Sequence, residues 1–134
     1  MEGKFIVASG PVIIEDGKLL VFKDSKDDFY KLIGGKIQEG ENLEDACMRN
    51  AKEACDAEIE IIRPLLPNIL YENPQTKEKM IIVLINYLAK LKNKDEIKPL
   101  PPEEDLKWIS LKDAREWKGN LSPNIKLLIE KNEL

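Results

Sequence analysis

Residues 34–57 read GGKIQEGENLEDACMRNAKEACDA, a glycine-rich loop that runs into a segment with helical periodicity. Gly34, Gly35 and Gly40 let the backbone bend sharply or approach a ligand closely. Asn42 is a favourable helix N-cap residue. Apolar residues then recur at the spacing of one helix face, at Leu43, Ala46, Cys47, Ala51 and Ala54. The stretch therefore predicts a loop that leads directly into an amphipathic helix.

This loop and helix resemble the Nudix box, whose pattern is G-x5-E-x7-R-E-U-x-E-E-x-G-U, with U an aliphatic residue. Gly35, Glu41 and Arg49 fall in register with its glycine, first glutamate and arginine. Glu53 matches the first glutamate of the E-E pair. Nudix proteins are typically Mg-dependent hydrolases of a nucleoside diphosphate linked to another group. The resemblance therefore implies a small nucleotide-type ligand, with Mg as the cofactor if the chain is active.

Four positions depart from the Nudix pattern. Asn50 stands where the family has the glutamate after the arginine, and Ala54 replaces the second glutamate of the pair. Asp56 replaces the glycine that ends the helix, and Ile33 replaces the proline that usually precedes the two glycines. The substitutions at 50 and 54 remove carboxylates that the family uses for metal binding or as a base, so they imply a degenerate box.

The resemblance divides the retained residues into two groups. Gly35, Glu41 and Arg49 take the structural role of holding the loop against the helix. Glu53 becomes the candidate catalytic residue and metal ligand, with Glu41 as a second candidate ligand. Mg²⁺ prefers oxygen ligands, usually carboxylates with water and substrate phosphate, and Asn50 offers only a neutral carbonyl oxygen. The alternative interpretation of Glu53 is an ordinary exposed helix glutamate.

A second acidic group lies outside the box, at Glu103, Glu104 and Asp105. In many Nudix hydrolases an acidic residue outside the box assists the metal or acts as the base, and Glu104 is the candidate chosen here. The alternative is a solvated acidic loop, because surface runs of like charge are common.

The loop and the C-terminal segment supply candidates for binding the substrate. Lys36 follows the glycines and could meet a phosphate, while Asn124 could donate to a base edge. The full set of predicted substrate-binding residues is Gly34, Gly35, Lys36, Asn50 and Asn124. Tyr71, Asn73 and Trp108 could also contact a nucleotide, although aromatic residues are more often part of a core.

The composition excludes several classes of function. The net charge of −4 argues against general binding to nucleic acid backbones, which needs a basic face. The absence of histidine removes imidazole bases and zinc–histidine sites. Cys47 and Cys55 would lie ~12 Å apart on one helix, too far for a disulfide. They indicate a reduced compartment, and with no signal peptide and no apolar run long enough to span a membrane we expect a cytoplasmic protein.

Local signals predict the remaining elements. Asp16-Gly17 lies between two apolar runs, the pattern of a hairpin turn. Residues 80–91 are predicted to form a central strand, with a buried helix as the alternative. Further predictions are a short strand over 29–33, a strand over 59–62, an edge strand or irregular segment over 65–71, a strand over 106–109, a helix from the Ser110 capping box to about Trp117, and a last helix starting at Ser122-Pro123.

Together these elements predict one domain, residues 1–134, with the α/β fold of a Nudix-like α/β/α sandwich and a mixed sheet. The first functional hypothesis is a nucleotide-binding Nudix domain whose hydrolase activity is weakened or lost. The second is an active Mg-dependent hydrolase that uses Glu53, Glu41 and an acid from 103–105. The third is a protein-interaction domain without catalysis. Magnesium binding separates the second hypothesis from the others, and nucleotide binding separates the first from the third.

Overall fold

The computed structural model describes residues 4–116 and 120–134 and contains seven strands, three α-helices and one 3-10 turn in those ranges. The strands are β1 Lys4–Glu15, β2 Lys18–Asp24, β3 Gly35–Lys36, β4 Ile59–Pro64, β5 Asn68–Glu72, β6 Lys79–Leu91 and β7 Glu103–Ser110. The helices are α1 Leu43–Cys55, α2 Leu111–Glu116 and α3 Pro123–Glu130, and the 3-10 turn is Lys94–Glu96.

The strands form one mixed sheet in the order β4-β6-β1-β2-β7, with β3 paired to β1 and β5 paired to β6. Strands β1 and β6 run parallel from Lys4 opposite Met80 to Ile13 opposite Ala89, and the other strand pairs are antiparallel. The prediction of a strand rather than a helix over residues 80–91 is confirmed. The apolar runs at residues 5–7 and 12–14, which Ser9-Gly10-Pro11 separates, belong to one continuous strand, β1.

The hairpin between β1 and β2 turns at the predicted dipeptide. Asp16 and Gly17 both have positive φ angles, 51° and 73°, and the next pairs outward are Glu15–Lys18 and Ile14–Leu19. Positive φ at both central residues is the geometry of a tight two-residue hairpin turn, which Asp-Gly adopts readily. Local chemistry alone therefore fixes the register of β1 against β2.

Alternating side chains of the sheet enter two separate hydrophobic cores. Leu20 and Phe22 point to the side where α1 packs with Cys47 and Ala51. The intervening Leu19 and Val21, with Val12, point to the side of α2 and α3, where they meet the apolar residues Ala114, Ile125 and Leu128. The box helix thus covers one face and the C-terminal helices cover the other, which confirms the α/β/α sandwich.

The helix boundaries follow the capping residues. The Asn42 Oδ1 atom accepts from the Asp45 amide at 2.8 Å at the start of α1. Ser110 accepts from the Asp113 amide at 3.0 Å, and Ser122 accepts from Ile125 at 3.4 Å. The predicted end of the second helix at Trp117 lies outside the described residues. No helix in the described ranges is long and apolar enough to cross a membrane.

The prediction of a strand over residues 29–33 is wrong. The segment makes two isolated bridges, one between Phe22 and Lys31 and one between Tyr30 and Leu121. Successive residues of its backbone bond to different parts of the chain. Lys31 bonds to Phe22 of β2, while Tyr30 bonds to Asn120 and Ser122 just before α3. The segment therefore connects the β2 strand to the start of α3 and does not extend a ladder.

Candidate functional site

A cavity of about 790 Å³ opens beside the glycine-rich loop. Its floor is the face of β1 and β6 that carries the apolar side chains of Ile6, Ala8, Ile82 and Leu84. The loop at 34–36, the C-terminal half of α1, the turn at 73–75 and the start of α3 form its walls. Of the residues predicted for ligand binding or chemistry, Gly34, Gly35, Lys36, Asn50, Glu53 and Asn124 line this cavity.

Arg49 joins the loop to the box helix through both ends of its guanidinium. Its Nε and Nη2 atoms donate to the two carboxylate oxygens of Glu41 at 2.8 and 3.0 Å. Nη2 also donates to the Lys36 carbonyl at 2.9 Å, and Nη1 donates to Glu53 at 2.9 Å. A bidentate arginine–carboxylate pair fixes geometry as well as charge, so the loop position depends on Arg49.

Glu41 uses both carboxylate oxygens within this scaffold. Besides Arg49, its Oε1 accepts from the Gln38 amide at 2.9 Å. The hydrogen bond from Arg49 and then that from Gln38 lower the pKa of Glu41 below its ordinary value. The charge of Glu41 is therefore neutralised locally, and Glu41 does not line the cavity.

Asn50 is buried and fully engaged with the backbone around the loop. Its Nδ2 donates to the Ser9 carbonyl at 2.9 Å and to the Gly35 carbonyl at 3.2 Å, and its Oδ1 accepts from Arg49 at 3.2 Å. A Cβ on Gly35 would lie 2.7 Å from that same Oδ1 atom. A side chain at position 35 would therefore displace the Asn50 side chain, which packs directly against the box glycine.

Glu53 is the single box carboxylate that reaches the cavity wall. Its side chain is 62% exposed and pairs with Arg49 at 2.9 Å. Ala54, beside it on the same wall, has no polar atom in its side chain. The box helix therefore presents one carboxylate, already paired with an arginine, and this donor set does not fit a Mg²⁺ ion, which needs several oxygen ligands.

The acidic cluster forms the start of strand β7, at an irregularity in the pairing of β7 with β2. Glu103 lines the main cavity, whereas Glu104 and Asp105 lie on the exposed side and border a second depression. Asp105 accepts from the Tyr30 hydroxyl at 2.6 Å. Lys23 pairs with Asp105 and Asp24 pairs with Glu103, so Glu104 is the extra residue at this irregularity, and Glu103, not the chosen Glu104, faces the cavity.

Lys31 is held among three carboxylates at the rim of the cavity. Its Nζ lies 2.9 Å from Asp27, 3.3 Å from Glu103 and 3.4 Å from Asp24. The three carboxylates lie within 4.8 Å of one another and could hold a metal ion, but the Lys31 ammonium lies among them. Gln75, on the turn across the cavity, donates to Asp27 and adds to the rim.

The pKa values of this cluster follow its charges. Burial alone would lower the pKa of Lys31, but the hydrogen bond to Asp27 and the charges of the three acids raise it above its ordinary value. Burial also opposes ionisation of Asp27, yet the hydrogen bonds from Asp24 and Lys31 lower its pKa. Glu103 differs, since burial dominates and raises its pKa. At neutral pH Lys31 is therefore a charged, paired lysine.

A family model of the NUDIX domain matches residues 4–129. The chain belongs to the NUDIX family. No curated protein sequence matches the chain significantly.

Solved structures of the same fold agree with this assignment. The chain is similar to a MutT NUDIX hydrolase from Burkholderia pseudomallei, with 23% identity, a TM-score of 0.79 and coverage of 95% and 97% of the two chains. It is also similar to the MutT protein of Methanosarcina mazei Go1, with 16% identity, a TM-score of 0.83 and coverage of 99% and 96%. A C. elegans Ap4A hydrolase gives 22% identity, a TM-score of 0.74 and coverage of 96% and 95%.

Sequence reasoning missed part of this Nudix site. Lys31, Asp24 and Asp27 were not among the predicted site residues, because the third acid around Lys31 is Glu103, which is far away in the sequence. Asn86 and Asn68 were hidden within apolar strands. A single polar residue in a run such as residues 80–89 is the signal that could have pointed to Asn86.

Proposed function

We propose that this Nudix domain binds a small nucleotide-type ligand in the cavity, and that its Mg-dependent hydrolase activity is weakened or lost. The observation that carries this proposal is the set of contacts made by the side chains at box positions 50 and 53. Asn50 is bonded to the backbone of Ser9 and Gly35, and Glu53 is left as a lone carboxylate paired with Arg49.

Hydrolysis of a diphosphate makes greater demands on a site than binding does. It needs strong neutralisation of the phosphate charge and an aligned, activated water. The Nudix family generally obtains both from divalent metals, but the carboxylates here are occupied by internal cations. Arg49 pairs with Glu41 and Glu53, and Lys31 pairs with Glu103. The second hypothesis, an active hydrolase using these acids, would require Arg49 and Lys31 to release the carboxylates with which they pair.

The cavity itself supports ligand binding. Pockets of ~300–1,000 Å³ with apolar walls and a few polar groups are typical of small-molecule sites, and this cavity has about 790 Å³ with a mostly apolar floor. Asn124 and Asn86 supply amide groups to the lining of the cavity, and the loop around Lys36 forms another part of that lining. These groups suit a ligand that has both a nucleobase and phosphates.

Other features of the chain agree with a small ligand and a reducing environment. The net charge of −4 does not favour the backbone of a nucleic acid. Cys47 and Cys55 are free and buried, and burial raises the pKa of Cys47 to about 12 and that of Cys55 to about 11. Such thiols are unreactive structural groups, which supports the proposal of a cytoplasmic protein.

Titration calorimetry with ADP tests the binding part of the proposal. The parent protein should bind ADP both with added Mg²⁺ and with a chelator, because the proposed contacts do not involve a metal. Two large substitutions into the floor, Ala8→Leu or Leu84→Trp, should weaken binding by filling the cavity, whereas Ile62→Ala on an exposed part of β4 should not. No heat of binding at millimolar ADP would contradict nucleotide binding and favour the interaction-domain hypothesis.

A further inference from the structure

Exposed apolar side chains gather along one edge of the sheet. Strand β5 pairs with the first half of β6 and β4 pairs with the second half, so β4, its connection to β5 and β5 itself form this edge. In the described part of the chain six large apolar side chains are exposed, and four of them lie here. They are Ile62, Leu66, Ile69 and Tyr71, of which the last two are 49% and 68% exposed. Clustered apolar side chains on a surface, unlike single ones, mark an interaction site.

Strand β5 is the part of this edge that is open to pairing. Among the described residues β5 pairs with β6 alone, so its outer edge has no strand partner. Its five residues contain neither lysine nor proline, the residue types that commonly protect an edge strand from association. By contrast, β4 carries Arg63 and Pro64, and β7 at the opposite edge carries exposed charges at Glu104 and Lys107. The β5 edge therefore lacks the protection that these two strands have.

The side chains of β5 divide between the two faces of the sheet. Leu70 lines the cavity, while Ile69 and Tyr71 on either side of it are exposed on the other face. The pairing with β6 is irregular near the end of β5, where residues 70–72 lie opposite residues 79–82. The extra residue at this irregularity belongs to β6. Strand β5 itself has no bulged residue that would interrupt pairing at its free edge.

The sequence of β5 is self-complementary about its central residue. In Asn68-Ile69-Leu70-Tyr71-Glu72, an apolar residue and then a polar residue follow Leu70 in both directions. When two copies pair antiparallel about a two-fold axis at Leu70, Ile69 of each copy lies opposite Tyr71 of the other. A β-branched residue opposite an aromatic residue is a favourable cross-strand pair. The same strand of a second copy therefore fits this edge.

Charges at the two ends of β5 favour the same antiparallel arrangement. Lys131, just after α3, donates to the Pro67 carbonyl at 2.9 Å and sets a positive charge at the start of β5. Glu72 sets a negative charge at the end of β5, with an ion pair of 3.9 Å to the exposed Lys79. The two-fold axis at Leu70 brings Glu72 of each copy toward Lys131 of the other, and such opposite charges attract across an interface.

We propose that two copies of this chain form a two-fold symmetric dimer in which their β5 strands pair antiparallel and join the two sheets. Pro67 and Pro74 flank the strand and cannot donate to a ladder, so the pairing ends within this segment. One dimer uses both free β5 edges, so association stops at two copies. Dimer formation through β5 is independent of the proposed ligand binding.

The interface is small for a dimer. On each copy it contains the backbone edge of five residues and the exposed side chains of Leu66, Ile69 and Tyr71. Together the two copies bury on the order of 1,000 Å², the lower limit for a specific interface. Association should therefore depend on concentration. In sedimentation equilibrium we expect the parent protein to be a monomer at about 1 µM and a dimer at about 1 mM.

A pair of single substitutions tests the register of the two strands. Ile69→Lys places a lysine opposite Tyr71 at both ends of the two-fold pair, and Tyr71→Glu places a glutamate opposite Ile69 at both ends, so each variant alone should be monomeric at about 1 mM. In an equimolar mixture, one copy of each variant pairs the lysine with the glutamate and keeps one native pair. The mixture should therefore contain a heterodimer.

The matched control is Met48→Lys. Met48 is 40% exposed on α1, away from the β5 edge, so the variant introduces the same charge on another apolar surface residue and should dimerise like the parent. Amide hydrogen exchange of the parent gives a test that needs no variant. Protection of the β5 amides should rise with protein concentration, whereas protection of β7, at the opposite edge, should not.

Each result bears on one part of the proposal. A parent protein that stays monomeric, with β5 amides unprotected at every concentration, would overturn the dimer and leave this edge to an extended segment of a different protein. A dimer that survives both Ile69→Lys and Tyr71→Glu would show that another surface mediates association. Absence of the heterodimer from the mixture would refute the two-fold register. These measurements contain no nucleotide, so their failure leaves the proposed function intact.

Discussion

Arg49 is the residue on which the geometry of the box most depends. It joins Glu41, the Lys36 carbonyl, Asn50 and Glu53 at distances of 2.8–3.2 Å. Glu41 and Lys36 belong to the loop before α1, whereas Asn50 and Glu53 lie in the second half of α1, so the loss of Arg49 would remove hydrogen bonds on both sides of this contact. These contacts hold the loop against α1.

Arg49→Ala should clearly lower the melting temperature, because it leaves the half-buried Glu41 carboxylate without its cation. Arg63→Ala is the matched control, since Arg63 is 53% exposed and forms a longer ion pair of 3.4 Å with Glu133, and exposed ion pairs contribute little. Equal melting temperatures for Arg49→Ala and Arg63→Ala, measured by thermal unfolding, would contradict the structural role of Arg49.

The ion pair between Arg49 and Glu41 makes the stability of the fold depend on pH in a direction that can be stated. Arg49 holds the pKa of Glu41 below its ordinary value of 4.5. A carboxyl with a lowered pKa in the folded state stabilises the fold fully above its unfolded pKa and loses that contribution as the pH falls through the folded pKa. The destabilisation caused by Glu41→Gln should therefore shrink from pH 7 to the acid side of 4.5. A destabilisation that grows on acidification, in denaturant titrations, would refute the assignment.

At the scale of single elements, helix α1 ends on a residue that strains its backbone. Asp56 adopts the left-handed region with φ 57° and ψ 31°, and its N–H caps the Ala51 and Lys52 carbonyls. Glycine is the usual residue at such a C-cap because it has no Cβ penalty there.

Asp56→Gly should therefore stabilise the protein by about 0.5–1 kcal/mol, after allowance for the greater freedom of glycine in the unfolded chain. Asp56→Ala, which cannot relieve the positive φ, should instead destabilise it. Chemical denaturation of both variants checks this prediction, and a less stable Asp56→Gly variant would show that the aspartate side chain contributes more than the strain costs.

The elements also show how much could be predicted from the sequence. The Asp16-Gly17 hairpin and the helix starts at Asn42 and Ser122 were predictable, because turns and caps depend on neighbouring residues. The segment 29–33 was not, because its backbone partners lie at Phe22, Asn120 and Ser122. In the site, the box register placed Arg49 against Glu41. Nothing local could reveal that Lys31 lies among three acids. Nor could it reveal that Asn68, Asn86 and Asn124, on β5, β6 and α3, are linked by hydrogen bonds.

At the scale of the whole molecule, the sandwich supplies the Nudix framework, and the proposed loss of activity concerns only the side chains at positions 50 and 54. If Asn50 and Ala54 are the cause of weak metal binding, then Asn50→Glu combined with Ala54→Glu should place carboxylates beside Glu53, since positions three and four apart are neighbours on a helix.

The double variant should be less stable than the parent without metal. It loses the Asn50 bonds to Ser9 and Gly35, and its like charges repel. Added Mg²⁺ should restore part of the melting temperature, because a ligand that binds only the folded state stabilises it. If Mg²⁺ raises the melting temperature of the double variant no more than that of the parent, positions 50 and 54 do not face a space that can hold a metal.

The most direct test of the central claim is Mg-dependent turnover by the unaltered protein. The substrates are ADP-ribose, a dinucleotide and a nucleoside triphosphate, and product release is measured with and without Mg²⁺. A box helix that presents one paired carboxylate predicts rates barely above background for all three, and Mg²⁺ binding weaker than millimolar. Robust Mg-dependent hydrolysis of any of them that is abolished by Glu53→Gln would contradict the account and establish an active hydrolase.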